Sequence, residues 1–435
     1  MPSSPHVLII GAGIGGLCLA HGLRRAGVSV RVYEREPEPG SRWEGYRIHI
    51  NPVGARSLRA CLPDRLWEAF LATSATAGEF GFLTERLAEL VVVEESIMYP
   101  GRRSDPAEDH YAVDRATLRR LLLAGLEDVV HFGAAFDRYA LTDDGRVAAV
   151  FADGGEMLGD VLVGADGSAS RVRRQYLPHA RQRPAGVAGV AHKLWLTEQT
   201  RAWVPARLQT GMNQISGAGV SLFTSVYDPP PDARQALERV AGSQPKISFA
   251  PYLLCALNTA PTRLPTGLAQ LDSDALREVV DELLADWHPT LRRIVAEADP
   301  TSRSGVEFTA STPTPPWSPT RVTVLGDAVH TMPATGGLGA NTALRDARLL
   351  TAKLSEVVHH ERPLSDAIGD YEHLMRRYGY AAVDRALAIK AQMLSSGPFA
   401  AATGRAWFRL NKTIPTLRRR SFARWSAGNR PEPWE

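Results

Sequence analysis

Glycines at a fixed spacing near the amino end mark the first place where this chain could do chemistry. Gly11, Gly13 and Gly16 follow an apolar run at residues 6–10, which predicts a buried strand. In such a pattern the first glycine permits a tight turn, the second lets a pyrophosphate approach the backbone, and the third allows close helix packing. Ile14 lies in the same loop, where the start of a helix offers free N–H groups to phosphates. The spacing predicts a dinucleotide site.

An acidic residue stands where that dinucleotide needs one. Glu34 ends a second apolar run, residues 28–33, eighteen residues after Gly16. A carboxylate at this distance accepts hydrogen bonds from ribose hydroxyls. Arg35 could reach the adenosine end, or it could be an ordinary surface arginine. This motif alone does not distinguish NAD from FAD.

A second loop near residue 326 favours FAD. The apolar run 321–325 leads into Gly326 and Asp327, and a glycine-rich turn at 336–339 precedes a predicted helix from about Ala340 to Leu354. The Asp327 carboxylate can accept hydrogen bonds from the polyol chain of a flavin. The positive end of the helix would stabilise negative charge on a reduced flavin ring. A simple NAD dehydrogenase would not carry this second loop.

Two further segments lie between these loops. Residues 161–164 form an apolar run that leads to the acid–glycine pair Asp166 and Gly167. The arginines that follow, at 171–174, are interpreted as surface charge, as are Arg102 and Arg103, with a grip on nicotinamide phosphates as the alternative. Residues 115–122 predict an amphipathic helix that begins near Arg115.

In order and spacing, these motifs resemble the three fingerprints of single-component (group A) flavoprotein monooxygenases, the para-hydroxybenzoate hydroxylase-like family. The resemblance spans residues 6 to about 350. It implies that Gly11–Gly16 bind the ADP part of FAD, that Asp166 and Gly167 serve both FAD and a nicotinamide donor, and that Asp327 binds the ribityl chain. It also implies cofactor contacts from the third loop and from two arginines: Pro333, Gly339, Ala340, Asn341, Arg115 and, less directly, Arg47.

The third loop also departs from the family pattern. Ala334 follows Pro333 where a second proline is common, and Leu338 replaces a glutamine. The departures concern the substrate and the chemical outcome. His330 is interpreted as a packed, hydrogen-bonded residue rather than a base, and His359 and His360 as a solvated helix end rather than metal ligands.

The resemblance implies a complete reaction. NADPH or NADH would reduce FAD, O2 would add at flavin C4a, and the hydroperoxide would hydroxylate or epoxidise an aromatic, polyketide-like or other apolar small molecule. Only five of the 50 basic residues are lysine, which together with many Ala, Gly and Pro residues indicates a GC-rich bacterial genome. An enzyme of bacterial secondary metabolism is expected. The alternatives are a redox-neutral cyclase or dehydrogenase of the same fold, and a flavin-binding partner or sensor that is not an enzyme.

The expected fold class is α/β. A discontinuous Rossmann-like FAD-binding domain (1–75, 105–175 and 305–355) would carry an inserted β-sheet substrate domain (76–104 and 176–304) and a C-terminal helical region (356–435). Strands are predicted at 186–198, 219–228, 246–258 and about 90–93, and one core-facing helix at 272–298. The substrate pocket is expected between the domains, near Leu222, Phe223, Phe249 and Tyr252.

Composition narrows the remaining classes. A net charge of +3 does not favour nucleic acid as a partner, and Cys18, Cys61 and Cys255 lie too far apart for a zinc motif. No apolar stretch approaches the ~20 residues of a membrane span, so a cytoplasmic protein is expected. The tail from 405 to 424 has seven basic residues, no acidic ones, and interleaved aromatics. It could contact an anionic membrane or a carrier protein, or pack on the FAD-binding domain.

Overall fold

In the computed structural model, the described residues are 5–40, 45–99, 105–243, 247–359, 361–394 and 398–422. Arg102, Arg103, Lys246, His360 and the end of the tail therefore lie outside them. The helices in the described part are α1 (Ile14–Arg25), α2 (Pro52–Cys61), α3 (Asp64–Thr73), α4 (Glu95–Met98), α5 (Arg115–Leu123), α6 (Arg171–Tyr176), α7 (Glu198–Arg201), α8 (Ala233–Ala241), α9 (Ser273–Leu283), α10 (Pro289–Ala296), α11 (Asp327–His330), α12 (Gly339–His359), α13 (Leu364–Met393), α14 (Pro398–Thr413) and α15 (Pro415–Phe422).

The strands of the same residues form four sheets. They are β1 (His6–Ile10), β2 (Ser29–Tyr33), β3 (Arg47–Ile50), β4 (Ala75–Thr76), β5 (Phe80–Thr84), β6 (Glu89–Val93), β7 (Tyr111–Asp114), β8 (Val130–His131), β9 (Phe136–Leu141), β10 (Val147–Phe151), β11 (Glu156–Gly159), β12 (Val161–Gly164), β13 (Gln182–Trp195), β14 (Met212–Gly217), β15 (Val220–Tyr227), β16 (Tyr252–Thr259), β17 (Ser304–Ser311) and β18 (Val322–Val324).

A five-stranded parallel sheet forms the centre of the first layer. Its order is β18-β12-β1-β2-β8, so strands far apart in sequence become neighbours. The residues of β1 and β12 are almost continuously apolar because the sheet is covered both by helices, α1 among them, and by the three-stranded sheet β11-β10-β9, which contacts β1 and β12. Helix α1 packs on this sheet and on α12. It begins at Ile14, so the glycine loop leads directly into the helix. The α/β class is confirmed.

A seven-stranded sheet of order β17-β13-β16-β15-β14-β5-β6 forms the second layer. The predicted strands at 186–198, 219–228, 246–258 and 90–93 correspond to β13, β15, β16 and β6. One face packs on α9 and α10, and Leu222 belongs to that face, where it is fully buried. Phe223 and Tyr252 lie on the opposite face. The placement of Leu222 in a pocket was therefore wrong, because alternate residues of a strand face opposite sides. Phe249 packs instead against the core of the first layer.

The single helix predicted at 272–298 is two helices. Asp272 caps α9 by accepting a hydrogen bond from the Ala275 backbone N–H, and α10 begins at Pro289 behind an N-cap at His288. Proline lacks the N–H that a continuous helix would need at this point, so the chain turns there and starts a second helix. Both helices still bury their apolar faces on the seven-stranded sheet.

The last two helices do not pack on the FAD-binding domain, which was one of the predicted alternatives for the tail. Helices α14 and α15 pack on β6 and α4, not on the parallel sheet. Phe408 stacks on Phe82 at 4.6 Å between ring centroids, and Phe422 is fully buried beside it. Among the described residues, no helix combines the length and apolar character that crossing a bilayer requires. The division of the chain into domains at the stated residues stays a prediction.

Candidate active site

Three loops meet at one edge of the parallel sheet. Ile10, at the end of β1, pairs with Gly164 of β12, which in turn pairs with Val324 of β18. Carboxyl ends of adjacent parallel strands lie side by side, and ligands of open α/β sheets bind outside them. The glycine loop after β1, the acid–glycine pair after β12 and the Gly326–Asp327 loop after β18 are thus brought together.

The glycines of the first loop have different structural reasons. Gly11 has φ +109°, and a Cβ there would clash with the carbonyl of Ala165. A Cβ on Gly16 would clash with the carbonyl of Gly11, so this glycine lets α1 approach the loop. A Cβ on Gly13 would meet no atom within 4 Å, because the residue borders open space at the start of α1. The fold therefore leaves space beside Gly13, and its contact with a pyrophosphate stays a prediction.

Glu34 is buried and is bonded to the loop it was expected to complement. Its carboxylate accepts hydrogen bonds from the backbone N–H groups of Ala12, at 2.8 Å, and Glu36, at 3.0 Å. Arg119 of α5, which the sequence reading missed, donates to the Ala12 carbonyl at 3.0 Å and pairs with Glu36 at 2.8 Å. Its position on the buried face of α5 was the available signal. Arg35 is exposed at the surface.

The acid–glycine pair lies at the start of α6. One Asp166 oxygen accepts from the Arg171 N–H at 2.8 Å, and the other is buried without a hydrogen-bond partner among the described residues. Gly167 has φ +77°, which favours glycine. The surface interpretation of the arginines that follow was wrong for Arg173. That side chain is buried and donates to the carbonyl of Ala328 at 3.0 Å, so it ties this loop to the third.

Asp327 lies where the third loop faces the other two. Its side chain is partly accessible to solvent. The surrounding protein nevertheless excludes enough water to raise the pKa of the carboxyl. The charges of His330 and Arg115 oppose that rise, which places Arg115, at the exposed start of α5, within electrostatic reach of Asp327. Pro333 is buried in the same loop.

The start of α12 is joined to β3 through one amide. The Asn341 side chain accepts from the Asn51 N–H at 2.9 Å and donates to the carbonyls of His49 and Gly337, each at 2.8 Å. The helix begins at Gly339, next to Asp327, and Ala340 is partly exposed there. Asn341 is thus placed as the residue that aligns the glycine-rich turn with β3.

Strand β3 connects that turn with the face of the seven-stranded sheet. Arg47 and His49 point to the same side of the strand because they are two residues apart. Arg47 is 6% exposed, its Nη1 lies 3.6 Å from the sulfur of Met212, and its Nε and Nη2 have no hydrogen-bond partner in the described structure. Burial lowers the pKa of the guanidinium to about 10, so it stays charged at neutral pH.

A pair of histidines, not singled out in the sequence, lies beside Arg47. His49 Nε2 is 3.0 Å from His110 Nδ1, and His110 stacks on Tyr99 with 3.7 Å between ring centroids. Burial lowers the pKa of His110 to about 4, and burial with the charge of Arg47 holds that of His49 well below its usual value. Both are neutral at pH 7. His49 lies in β3, His110 directly precedes β7 and Tyr99 follows α4, so only the fold brings them together.

The residues at this edge fit FAD. A dinucleotide needs open space beside the second glycine, free N–H groups at a helix start and an acidic residue for the ribose. Gly13, α1 and Glu34 provide these in turn. In the part of the chain that the structure describes, no cluster of three or more His, Cys, Asp or Glu side chains could hold a metal, and His359 lies 3.2 Å from the Ala26 carbonyl.

Comparisons with known proteins agree with this geometry. The FAD binding domain family matches residues 5–386. The dual O-methyltransferase/FAD-dependent monooxygenase of Cercospora beticola is 33% identical over 389 residues, which are 85% of this chain and 44% of that protein. The chain thus spans less than half the length of this fungal relative.

Two solved structures extend the comparison. A Photorhabdus luminescens protein described as an FAD-containing monooxygenase is 34% identical with a TM-score of 0.79, over 90% of this chain and 99% of that one. Klebsiella pneumoniae HpxO, complexed with FAD and uric acid, is 21% identical with a TM-score of 0.77, over 99% and 98%, and shares the fold. The family match, the fold and the three converging loops lead to one conclusion: the chain belongs to the single-component FAD-dependent monooxygenases, whose cofactor is FAD.

Proposed function

We propose that this chain transfers one oxygen atom from O2 to an aromatic or polyketide-like small molecule, by hydroxylation or epoxidation, with NADPH or NADH as electron donor. One observation carries the proposal. Arg47 and His49 span the distance between Met212, on the open face of the seven-stranded sheet, and Gly337, in the turn before α12. A substrate on that face would lie beside the part of the edge where the flavin ring is expected.

The lining supports an apolar substrate with one ionisable group. Phe223 contributes half-buried aromatic surface on this face, and behind it Tyr252 is buried with its hydroxyl donating to Asp114 of β7 at 2.8 Å. Arg47 is available to hold an anionic oxygen, because an unpaired buried guanidinium is costly until an anion binds it. Bound FAD supplies the electrons and the activated oxygen, while the chain positions the substrate and excludes water.

The histidine pair supports a proton-transfer role. His49 Nδ1 is buried without a hydrogen-bond partner in the described structure, and its ring is neutral. A neutral imidazole can accept the proton of a substrate hydroxyl at Nδ1. It can then release its Nε2 proton to His110 Nδ1 through the 3.0 Å contact. We propose His49 as this base.

The names of relatives support a hydroxylated product. The fungal relatives combine a monooxygenase with an O-methyltransferase, and a new phenolic hydroxyl is a group that O-methylation consumes. A role in secondary metabolism is proposed on this basis, whether the source is bacterial or fungal.

Anaerobic mixing with NADPH or NADH, with and without candidate substrate, followed by addition of oxygen, tests the function. Flavin bleaching and a product heavier by one oxygen are expected. An unchanged product mass would support the redox-neutral cyclase instead, and loss of two hydrogens a dehydrogenase. If no donor bleaches the flavin with any substrate class, the monooxygenase proposal is wrong.

A further inference from the structure

A buried carboxylate lies beneath the loop that follows β18. Asp346 of α12 is fully buried, and it accepts three hydrogen bonds from different segments of the chain. The donors are the Gly326 backbone N–H at 2.7 Å, His330 Nε2 at 2.7 Å and the Tyr378 hydroxyl at 2.6 Å. One side chain therefore holds the entry and the end of the Gly326–His330 segment, with Asp327 between them.

The contact between Asp346 and His330 favours a charged imidazole. Burial opposes a charge on His330, but the carboxylate beside it outweighs burial and raises the pKa of the imidazole. The ring lies close against α13, since a Cβ on Gly379 would be 2.7 Å from its Cδ2. The imidazole is thus fixed in position by its charge partner on one side and by a helix backbone on the other.

Helix α13 extends this support beyond the three fingerprints. Tyr378 donates to Asp346. Two helical turns earlier, Tyr371 donates to the carbonyl of Val324, the last residue of β18, at 2.9 Å. The guanidinium of Arg345 lies 4.2 Å from the Tyr378 ring. Helix α13 therefore supports the loop indirectly: Tyr371 bonds the strand that leads into it, and Tyr378 bonds the Asp346 carboxylate that holds it.

We propose that Asp346 is a positioning residue for FAD: it holds Gly326 and His330 so that Asp327 and the start of α12 keep the geometry that the ribityl chain and flavin ring require, and Tyr378 ties this loop to α13. The inference rests on FAD binding at this edge, as does the proposed function, but it does not depend on the substrate or on oxygen transfer. A displaced loop would also turn the positive end of α12 away from the reduced flavin, and would lower its reduction potential.

The test uses the 435-residue chain with Asp346→Asn. The amide can accept a hydrogen bond but leaves no charge for His330, and its NH2 group would face the donors. We expect FAD dissociation to rise by about tenfold or more, as the loss of hydrogen bonds to a charged acceptor predicts, with a lower reduction potential. Faster backbone hydrogen exchange at residues 326–330 should accompany both, measured on flavin-free protein.

Two further variants separate positioning from general stability. Glu372→Gln also replaces a buried carboxyl with an amide, but at a residue of α13 that bonds Thr323 and Tyr176 and not the loop, and it should change FAD dissociation by less than about threefold. Tyr378→Phe removes one hydrogen bond and should give an intermediate effect.

Three results would overturn the proposal. The first is an Asp346→Asn variant whose FAD affinity and hydrogen exchange at residues 326–330 match those of the wild type. The second is a Glu372→Gln variant that loses as much FAD affinity as Asp346→Asn does. If Asp346→Asn does not fold, wild-type FAD affinity in Tyr378→Phe would be decisive against it. Weakened FAD binding in an enzyme that never oxygenates any substrate would instead count against the proposed function alone.

Discussion

Single residues at the strand edge differ in whether the fold or the ligand requires them. Gly16 is required by the fold, because a side chain would strike the Gly11 carbonyl. Gly13 has extended backbone angles and open space beside it. Arg119 has protein partners for its charge, whereas Arg47 has two nitrogens without any among the described residues. Substitutions at these two pairs can therefore separate effects on ligand binding from effects on folding.

The glycine pair gives the first prediction. Gly13→Val should fold with near-normal stability and yet purify without flavin, because the new side chain fills the space beside the expected pyrophosphate. Gly16→Val should instead lose stability by about 2 kcal/mol or more through overpacking. Flavin absorbance per protein and thermal unfolding of the flavin-free forms measure both. Normal flavin content in Gly13→Val would place the dinucleotide elsewhere.

The arginine pair gives the second. Arg47→Met should raise the free energy of unfolding of the flavin-free protein, by about 1 kcal/mol, because it removes a buried and unpaired charge. Arg119→Met should lower it by about 3 kcal/mol, since Glu36 loses its buried partner. Denaturant titration of both variants checks the signs. Equal destabilisation by both would mean that Arg47 has a structural partner.

The histidine gives the third. His49→Ala should lower turnover of a hydroxylated substrate by about a hundredfold or more, with flavin binding retained and the pH profile altered. His179→Ala, at an exposed position of the same chain, is the matched control and should change nothing. Full turnover in His49→Ala would remove it as the base.

At the scale of elements, α13 contacts the end of β18 through groups that water does not reach. Glu372 is 1% exposed, and it accepts hydrogen bonds from Thr323 at 2.9 Å and Tyr176 at 3.1 Å. Burial raises the pKa of its carboxyl to about 7 despite these bonds. The helix therefore packs best when this carboxyl carries a proton.

The fourth prediction follows from the sign of that shift. The native state binds the Glu372 proton more tightly than the unfolded state does, so stability falls as pH rises from the ordinary pKa of 4.5 to about 7 and then levels off. The decrease should total roughly 3 kcal/mol at about 1.4 kcal/mol per pH unit. Glu372→Gln should flatten this part of the curve, as denaturant unfolding at several pH values can measure. An unchanged slope would show that the carboxyl is already charged at low pH.

At the scale of the whole molecule, the tail closes one end of the second layer. Lys412 pairs with Glu89 at 3.2 Å and Arg418 with Glu94 at 2.8 Å, so two of the basic side chains have acidic partners on the same protein. Trp407, Leu410 and Ile414 remain 40–48% exposed. Contact of this helix with an anionic membrane or a carrier protein stays a prediction.

The fifth prediction concerns removal of that tail. A chain ending at residue 394 should keep its FAD, because α14 and α15 contact β6 and α4 and not the strand edge. It should expose Phe82 and its neighbours, bind more hydrophobic dye and aggregate at lower temperature. Phe408→Ala should show a weaker form of the same change. Loss of flavin from the shortened protein would assign the tail a part in cofactor binding.

Much of the site could be predicted because it follows from local rules. Gly11, Gly13, Gly16, Glu34 and Asp327 each stand at the end of an apolar run, and loops of that type are specified within a few residues. The α/β class and the strands of the second sheet likewise followed from apolar runs and their punctuation. Where the local pattern was ambiguous, the prediction was wrong. Leu222 was expected in the substrate pocket, but the face of the strand on which it lies packs against α9 and α10.

What the sequence determined by itself is therefore the set of loops and the cofactor they suit. The tertiary structure alone decided which distant residues meet: Arg119 with Glu36, His49 with His110, Asp346 with Gly326 and Tyr378. The physical reason is that a buried polar group must find its partner in space, and the partner can come from any element the packing brings near. Periodicity describes which face of an element is buried, but it carries no information about which other element covers that face.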